Sequence, residues 1–396
     1  MKYSFSNRMT ALQPSIIREI LKASSGQNVI PFSAGNPAPE TFPVEAIRTF
    51  TQSILENEPV AALQYGITEG YAPLRETLLR HLKTGFATGS EEDDLFIVSG
   101  AQQGIELACK VFCNEGDTII CESPSFIGSL NSFRSAGARL VGVPIEADGI
   151  DISRLEHALR TEPNVKLIYL IPSFQNPTGL TTSLEKRKAI YALAKQYGVM
   201  ILEDNPYGEL RFQGEDVPTI KSMDDEGMVI YVGSFSKILS AGLRVGYVLA
   251  PQEVVQKMVV AKQGEDVHTA MLPQILAYRF MTDYDYAGHI SKIRNIYRRK
   301  SSLMIAGLQE HLGQTITFTY PDGGLFLWCD LPAHIPMLDY AKAAAAEGVA
   351  VVPGTAFLVE ETDACHAIRL NFSTPSDEQI ERGVEILGQV LKSFRS

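Results

Sequence analysis

Short apolar runs alternate with longer amphipathic stretches over much of the chain. Seven of these runs have the length and β-branched content of strands: Leu95–Ser99, Thr118–Glu122, Leu140–Val143, Lys166–Ile171, Val199–Glu203, Met228–Val232 and Val245–Ala250. Several are apolar throughout, which is typical of strands that are covered on both faces. The pattern therefore predicts a mostly parallel sheet of seven strands.

Amphipathic stretches of helical length fill the gaps between these runs. They are Gln102–Phe112, Phe126–Ala136, Ile152–Arg160, Ser183–Tyr197 and Pro251–Gln263. Strands that alternate with helices in this way favour an α/β fold, with the helices packed outside the sheet. In an open sheet of this kind, the loops at the strand ends are expected to form the ligand site.

The pattern changes after residue 285. A long amphipathic stretch from Tyr286 to Leu312 predicts a connecting helix. Beyond it we predict a strand pair around Pro321–Gly324, a helix near Met337–Glu347, strands at Val349–Val352 and Ala367–Phe372, and a helix from Ser376. The domains predicted are a large one over residues 45–285 and a smaller α+β one over residues 286–396, which the N-terminal segment, residues 1–44, joins.

Composition and charge exclude several classes of function. With 396 residues, 45% of them apolar and 20% charged, the chain can bury a large core. A net charge of −11 disfavours nucleic acid and anionic membranes as partners, and no run has the length of a membrane span. The five cysteines and seven histidines show no metal-ligand spacing. We expect a cytoplasmic protein without a metal site.

Lys237 lies among residues that suit a phosphorylated aldehyde. Ser234 and Ser236 offer hydroxyl donors on either side of it, and Arg244 offers a forked cation that suits a phosphate dianion. These residue types indicate a lysine that forms a Schiff base. Taken alone, the segment could equally be a surface loop with an ordinary solvated lysine.

The segment Ser99–Gln103 follows the first predicted strand and opens a helix. The backbone N–H groups of Gly100, Ala101 and Gln102 can therefore meet an anion at the helix N-terminus. An ordinary strand-to-helix turn is the alternative. The sequence contains neither a nucleotide P-loop nor the glycine pattern of dinucleotide-binding proteins, which disfavours those ligands.

Two more loops follow predicted strands and should reach the same cleft. Asp204 can keep a pyridine nitrogen protonated, because a nearby opposite charge favours the cationic form. Asn176 and Tyr207 can each donate a hydrogen bond to a ring oxygen, and Phe126 can stack on the ring face. Asp204 as a helix cap and Tyr207 as a half-buried core ring are the alternatives.

Together these motifs resemble the pyridoxal-phosphate-dependent aminotransferases of fold type I, in the class I/II aminotransferase family. Steps of 28, 33 and 7 residues connect Asn176, Asp204, Lys237 and Arg244. The resemblance also includes Tyr65, Pro124–Phe126, Pro321–Gly324 and Arg369. Within the family, the chain is most similar to the 2-aminoadipate and kynurenine aminotransferase group, through Ser15–Lys22, Phe32–Pro43 and Leu63–Tyr65.

The resemblance implies roles toward the cofactor. Lys237 would be the internal aldimine lysine and would move the proton between the substrate Cα and the cofactor C4′. Asp204 would partner the pyridine nitrogen, and Asn176 and Tyr207 the ring oxygen. The phosphate would be held by Ala101, Gln102, Ser234, Ser236 and Arg244, completed by Tyr65 from the other subunit of a homodimer. Two positions depart from the family: Phe126 replaces a frequent Tyr, and Ala101 a usual Ser.

The resemblance also implies roles toward the substrate. Arg369 would bind the α-carboxylate, Gly35 would allow a close backbone approach, and Arg18 would meet a distal carboxylate unless it is only a solvated helix charge. The expected reaction moves an amino group between an L-amino acid (aromatic, 2-aminoadipate-like or glutamate) and a 2-oxo acid such as 2-oxoglutarate, in a ping-pong sequence. A β-lyase or decarboxylase on the same fold is the alternative, and a non-catalytic ligand-sensing domain a remote one. We also predict cis peptide bonds at Ser123–Pro124 and Asn176–Pro177.

Overall fold

The large sheet contains every strand that the apolar runs predict. The structure, a computed structural model, describes residues 3–10, 29–360 and 363–394. The strands are β1 (Asp93–Val98), β2 (Thr118–Ser123), β3 (Arg139–Glu146), β4 (Gly149–Ile150), β5 (Val165–Leu170), β6 (Met200–Asp204), β7 (Val229–Ser234) and β8 (Gly246–Pro251). The sheet thus has eight strands instead of the predicted seven. The extra one, β4, has only two residues, too few to show a pattern in the sequence.

The strand order is β1-β8-β7-β6-β5-β2-β3-β4. Four neighbouring pairs are parallel: β2 with β3, β2 with β5, β5 with β6, and β6 with β7. Strand β8 runs antiparallel to both β1 and β7. The predicted mostly parallel sheet is therefore confirmed, and the carboxyl ends of β1, β2, β5, β6 and β7 meet at one edge.

Helices cover this sheet, and the predicted ones are all present within one or two residues. In the first part of the described chain they are α1 (Asn7–Thr10), α2 (Val44–Asn57), α3 (Pro59–Leu63), α4 (Ala72–Phe86), α5 (Ala101–Phe112), α6 (Ile127–Ser135), α7 (Ile152–Thr161), α8 (Leu184–Tyr197), α9 (Gln252–Gln263) and α10 (Met271–Thr282). Side-chain caps fix two of the starts: Asp151 accepts from the Arg154 amide, and Ser183 from the Lys186 amide.

The long helix α11 (Tyr286–His311) leads to a second sheet with strand order β11-β12-β10-β9. Its elements are β9 (Thr317–Phe318), β10 (Phe326–Asp330), α12 (Met337–Ala346), β11 (Val352–Pro353), β12 (Ala367–Asn371) and α13 (Asp377–Ser393). The predicted strand at Val349–Val352 is shorter than expected, because Val349 forms only an isolated bridge with Ile30. A capping box at Ser376 starts the last helix.

The segment that follows residue 28 joins the second sheet. The Asn371 amide donates to the Phe32 carbonyl, and Ile30 bridges to Val349. This contact places residues 33–36 between β12 and the edge of the large sheet. The domain boundaries at residues 44 and 285 stay a prediction. Across the described ranges, no helix is long and apolar enough to span a membrane.

Candidate active site

A cavity of about 450 Å³ opens at the edge where the carboxyl ends of the parallel strands meet. Most of the predicted site residues line it: Gly35, Ala101, Gln102, Phe126, Asn176, Asp204, Tyr207, Ser234, Ser236, Lys237, Arg244 and Arg369. These side chains come from both sheets and from the segment between them. Gly100 and Tyr65 are not in this set, and Arg18 lies outside the described residues.

Lys237 sits in a single π-helical turn, Ser236–Ser240, directly after β7. Its Nζ donates a hydrogen bond to the Gly35 carbonyl at 2.8 Å. Burial, together with the cations Arg369 and Arg244, lowers the pKa of Lys237 to about 8, and Asp204 opposes this shift. A lysine with this pKa is neutral in an appreciable fraction of molecules near neutral pH, so its nitrogen is available as a nucleophile or base.

Asp204 ends β6 and is buried, with 3% of its surface exposed. Its Oδ2 accepts a hydrogen bond from the Tyr169 hydroxyl at 2.9 Å, whereas Oδ1 is buried without a partner among the described residues. Burial raises the pKa of Asp204 to about 7. An unpartnered, buried carboxylate oxygen is costly unless a cationic donor meets it. This oxygen therefore fits a protonated ring nitrogen.

Asn176 and Tyr207 present an amide nitrogen and a phenol oxygen side by side, 3.5 Å apart. Both residues are buried, and the Lys237 Nζ lies 6.0 Å from the centre of the Tyr207 ring. The carbonyl of the Asn176 side chain is taken by Arg369, whose Nη1 donates to it at 3.0 Å. Its NH₂ group is thus turned toward Tyr207, where two donors can meet one ring oxygen. The Ser123–Pro124 and Asn176–Pro177 bonds are both cis, as predicted.

The opposite end of the cavity is cationic and open to solvent. Arg244 is exposed, adopts a left-handed backbone conformation (φ 54°), and donates from its guanidinium to the Ser99 carbonyl at 3.1 Å and to Ser236 Oγ at 3.4 Å. Together with the hydroxyls of Ser234 and Ser236 and the start of α5, this cation suits a phosphate group.

Gly100 does not line the cavity, and its N–H donates to the Val98 carbonyl at 2.8 Å. Its predicted contact with an anion stays a prediction. The residue adopts φ 86°, and a Cβ atom there would collide with the Arg244 guanidinium. Glycine at this position thus lets Arg244 approach the loop. Ala101 and Gln102 occupy the first turn of α5, where backbone N–H groups have no intrahelical acceptor.

Tyr65 is not part of the cavity as the structure describes it. Tyr65 is 80% exposed, and its ring packs edge-on against His268 with the ring centres 5.8 Å apart. Arg18 lies outside the described residues, so its predicted contact with substrate stays a prediction.

Arg369 is a buried cation held by neutral groups. Its guanidinium lies 4.4 Å from the Phe326 ring centre and 5.1 Å from that of Phe357, and its Nη2 donates to the carbonyls of Ser33 and Ala34. Burial lowers its pKa to about 10, and Nε has no partner within the described part of the chain. Such a cation fits a ligand carboxylate.

Four buried polar residues near the site escaped the sequence reasoning. Ser129 donates to the Tyr169 hydroxyl, which in turn donates to Asp204. Glu122 accepts from the Ile171 amide at 2.9 Å and from Gln175 at 3.4 Å, and Gln175 also donates to the Pro124 carbonyl at 2.8 Å. Polar residues within apolar strands are the only signal that the sequence offers for them. Such residues need partners when they are buried, but the sequence does not show which partners they have.

Comparison with known proteins decides the family. The family model for aminotransferase class I and II matches residues 27–387. The chain belongs to the class I and II aminotransferase family. This aminotransferase is 38% identical over 392 residues to aromatic-amino-acid aminotransferase 1 of Thermococcus litoralis, covering 98% of this chain and 94% of that protein. It is 37% identical over 394 residues to the 2-aminoadipate transaminase of Thermus thermophilus, covering 99% and 97%.

A solved structure extends the likeness to three dimensions. The crystal structure of LysN, the α-aminoadipate aminotransferase of Thermus thermophilus, complexed with N-(5′-phosphopyridoxyl)-L-leucine, has a TM-score of 0.90 and 37% identity, covering 99% of this chain and 98% of that one. The predictions of the family, the fold type I architecture, transamination and pyridoxal phosphate as the cofactor are confirmed. The roles of single residues and the choice of substrate stay predictions.

Proposed function

We propose that this aminotransferase exchanges the amino group of an L-amino acid (aromatic, 2-aminoadipate-like or glutamate) with a 2-oxo acid such as 2-oxoglutarate. The observation that carries the proposal is the meeting in one cavity of Lys237, whose pKa is lowered, with two residues that each have a buried atom without a partner in the described chain, Asp204 Oδ1 and Arg369 Nε. The substrate range is supported by relatives named for aromatic amino acids and for 2-aminoadipate.

The residues of the cavity fit the cofactor at both ends. Pyridoxal phosphate supplies a ring that takes up the electrons released when the Cα–H bond of an amino acid breaks. Asp204 would hold its ring nitrogen, Asn176 and Tyr207 its ring oxygen, and Phe126 one ring face. The phosphate would be held by Ala101, Gln102, Ser234, Ser236 and Arg244.

Lys237 and Arg369 would act on different parts of the substrate. Arg369 would bind the α-carboxylate through the free side of its guanidinium, and thereby orient the Cα–H bond toward Lys237. Lys237 Nζ would move the proton from the substrate Cα to the cofactor C4′, and back in the reverse transfer, because its pKa of about 8 suits proton exchange near neutral pH. Gly35, whose carbonyl accepts a hydrogen bond from Lys237 Nζ, would allow its own backbone to approach the substrate closely.

A homodimer would complete the phosphate end with Tyr65 from the partner subunit. Tyr65 is exposed and lies outside the cavity of its own chain, in an apolar surface patch with Val60, Leu63 and Ile67, which are 74%, 72% and 59% exposed. Exposed apolar patches of this kind mark protein–protein contacts. All five cysteines are free, which supports the proposed cytoplasmic location.

The experiment is an amino-transfer assay on purified enzyme loaded with pyridoxal phosphate. Each candidate amino acid is added with and without 2-oxoglutarate, and the 2-oxo acid, glutamate, ammonia and CO₂ formed are quantified. We expect one glutamate for each donor consumed and no ammonia. Release of ammonia or CO₂ without an acceptor would instead identify a lyase or decarboxylase.

A matched pair of arginine variants isolates the carboxylate site. Arg369→Gln should raise KM for donor and acceptor about 100-fold, because both carry the same α-carboxylate. Arg211→Gln is the control, since Arg211 is also buried and lies 4.8 Å from an aromatic ring centre, that of Phe174, but does not line this cavity. Equal effects in both variants would contradict the role of Arg369.

A further inference from the structure

Tyr169 contacts Asp204 from the side of the carboxylate that is turned away from ligands. It lies in β5, is fully buried, and does not line the cavity. Its hydroxyl donates to Asp204 Oδ2 at 2.9 Å and accepts from Ser129 Oγ, in helix α6, at 2.7 Å. The three side chains therefore form a buried hydrogen-bonded chain that ends at the carboxylate of Asp204.

The available donors and acceptors fix the direction of these hydrogen bonds. An ionised carboxylate can only accept hydrogen bonds, so the single phenolic proton of Tyr169 is committed to Asp204 Oδ2. The Tyr169 oxygen then needs a donor for its own lone pair, and Ser129 supplies it. Oδ2 is thereby engaged, and Oδ1 is left as the oxygen without a partner in the described chain.

Packing holds the tyrosine in this position. The ring of Phe133 meets the Tyr169 ring edge-on, with centres 5.2 Å apart. Tyr169 pairs with Leu202 in the parallel ladder of β5 and β6, two residues before Asp204. Because both strands lie inside the sheet, the hydroxyl and the carboxylate are set against each other by the register of the sheet and cannot separate without opening the core.

We propose that Tyr169, supported by Ser129, is a positioning residue for transamination: it fixes the Asp204 carboxylate so that Oδ1 meets the ring nitrogen, and it keeps that carboxylate ionised. The inference deepens the proposed function and rests on the roles given there to Asp204 and Lys237. Tyr169 contacts neither cavity nor substrate and would act through Asp204 alone.

The electrostatics of Asp204 agree with this geometry. Burial raises the pKa of Asp204, and the hydrogen bond from Tyr169 is the largest influence that lowers it again. Without the hydroxyl, Asp204 keeps its proton to higher pH and its carboxyl group is free to rotate. A protonated or rotated Asp204 holds a ring-nitrogen proton less firmly, so the ring attracts electrons less strongly.

The test compares Tyr169→Phe, Ser129→Ala and the control Tyr340→Phe in enzyme loaded with pyridoxal phosphate. Tyr340 is equally buried, and its hydroxyl also donates a hydrogen bond, to the Leu387 carbonyl of helix α13 at 3.0 Å, far from Asp204 in the chain. Three quantities are measured: the pH at which the visible absorption band of the loaded enzyme changes, kcat and KM for the amino donor, and the melting temperature.

For Tyr169→Phe we expect the spectral transition to move to higher pH by roughly half a unit to one unit, and kcat to fall about 5- to 20-fold with KM changed less than about twofold. Ser129→Ala should move both readouts in the same direction by a smaller amount. Tyr340→Phe should lower the melting temperature without moving either readout.

An unchanged spectral transition and kcat in Tyr169→Phe would overturn the positioning role, and so would equal shifts in Tyr340→Phe. If Tyr169→Phe does not fold, Ser129→Ala decides, since it keeps the ring and leaves Asp204 untouched; an unshifted transition there would overturn the proposal. Failure of the proposed function is a different result, because the unsubstituted enzyme would then form no glutamate from the amino donor and 2-oxoglutarate, whatever the variants do to the visible band.

Discussion

The two ends of the cavity are built in opposite ways. At the end proposed to hold the ring nitrogen, Asp204 is 3% exposed and accepts from a buried hydrogen-bonded chain of side chains. At the end proposed to hold the phosphate, Arg244 is exposed, and Tyr65, outside the cavity, is 80% exposed. The first end is buried, whereas the second lies at the surface.

The difference predicts that one end controls the rate of the chemical step and the other the affinity for the cofactor. A buried, oriented carboxylate acts strongly on the ring because little solvent screens it, so it should control the rate of the chemical step. Exposed cations act through screened attraction and hydrogen bonds, so they should control how tightly the cofactor is held. The following changes are ordered by the size of effect that this comparison predicts.

Asp204→Asn should give the largest loss. The amide keeps the shape of the side chain but removes its negative charge, so kcat should fall roughly 10³-fold, while the Kd for pyridoxal phosphate rises only about tenfold. Single-turnover kinetics with a saturating amino donor measures the chemical step. Glu203→Gln is the matched control, because Glu203 is also buried in β6 but accepts from the amides of Ile220 and Lys221. A similar loss of kcat in the control would contradict the assignment.

Arg244→Gln should show the reverse pattern. We expect the Kd for pyridoxal phosphate to rise about 100-fold, with kcat at saturating cofactor changed less than about threefold. Equilibrium titration of the apoenzyme, followed by absorbance, measures the affinity. The weakening should grow smaller at high salt, since an exposed cation is screened. A fall in kcat as large as that of Asp204→Asn would remove the distinction between the two ends.

Tyr65→Phe should weaken cofactor binding about 5- to 10-fold, and mixed dimers show which chain supplies the hydroxyl. Lys237→Ala inactivates its own site. A dimer of one Lys237→Ala chain and one Tyr65→Phe chain should keep normal affinity at its active site, because that site receives Tyr65 from the inactive partner. A dimer of one unsubstituted chain and one chain with both Lys237→Ala and Tyr65→Phe should bind the cofactor more weakly at its active site, because that site would receive a phenylalanine in place of Tyr65. The opposite result would place Tyr65 in the site of its own chain.

The rate at which apoenzyme captures pyridoxal phosphate should follow the ionisation of Lys237. Only the neutral amine can attack the aldehyde of the cofactor. Because the pKa of Lys237 is lowered to about 8, the neutral form becomes abundant as the pH rises toward 8. The rate should increase about eightfold from pH 6.5 to 7.5 and level off above pH about 9. Arg369→Gln removes a cation that lowers this pKa, so it should move the profile to higher pH. A flat profile over this range would contradict the ionisation assigned to Lys237.

The sequence predicted the parts of the site that depend on residue order along the chain. Lys237, Asp204 and Asn176 follow recognisable strands, and strands of a parallel sheet end at a common edge, so their convergence could be foreseen. The direction of single hydrogen bonds could not. The hydrogen bond from the Gly100 amide to the Val98 carbonyl, for example, depends on the local backbone angles.

The partners of buried groups were hidden for a related reason. Tyr169 reads as one more large residue in an apolar strand, and only the register between β5 and β6 shows that its hydroxyl meets Asp204. Similarly, Glu122 and Gln175 lie 53 positions apart, and their contact requires β2 and β5 to be neighbours in the sheet. Long-range pairing of this kind leaves no periodic signal in the sequence.

The most direct test of the whole account is chemical labelling of the lysine. Enzyme loaded with pyridoxal phosphate is reduced with borohydride, digested and mapped by mass spectrometry, with Lys237→Ala as the matched control. We expect one phosphopyridoxyl group per chain, on Lys237, and none in the variant. A label on another lysine, or no label after saturation with the cofactor, would contradict it.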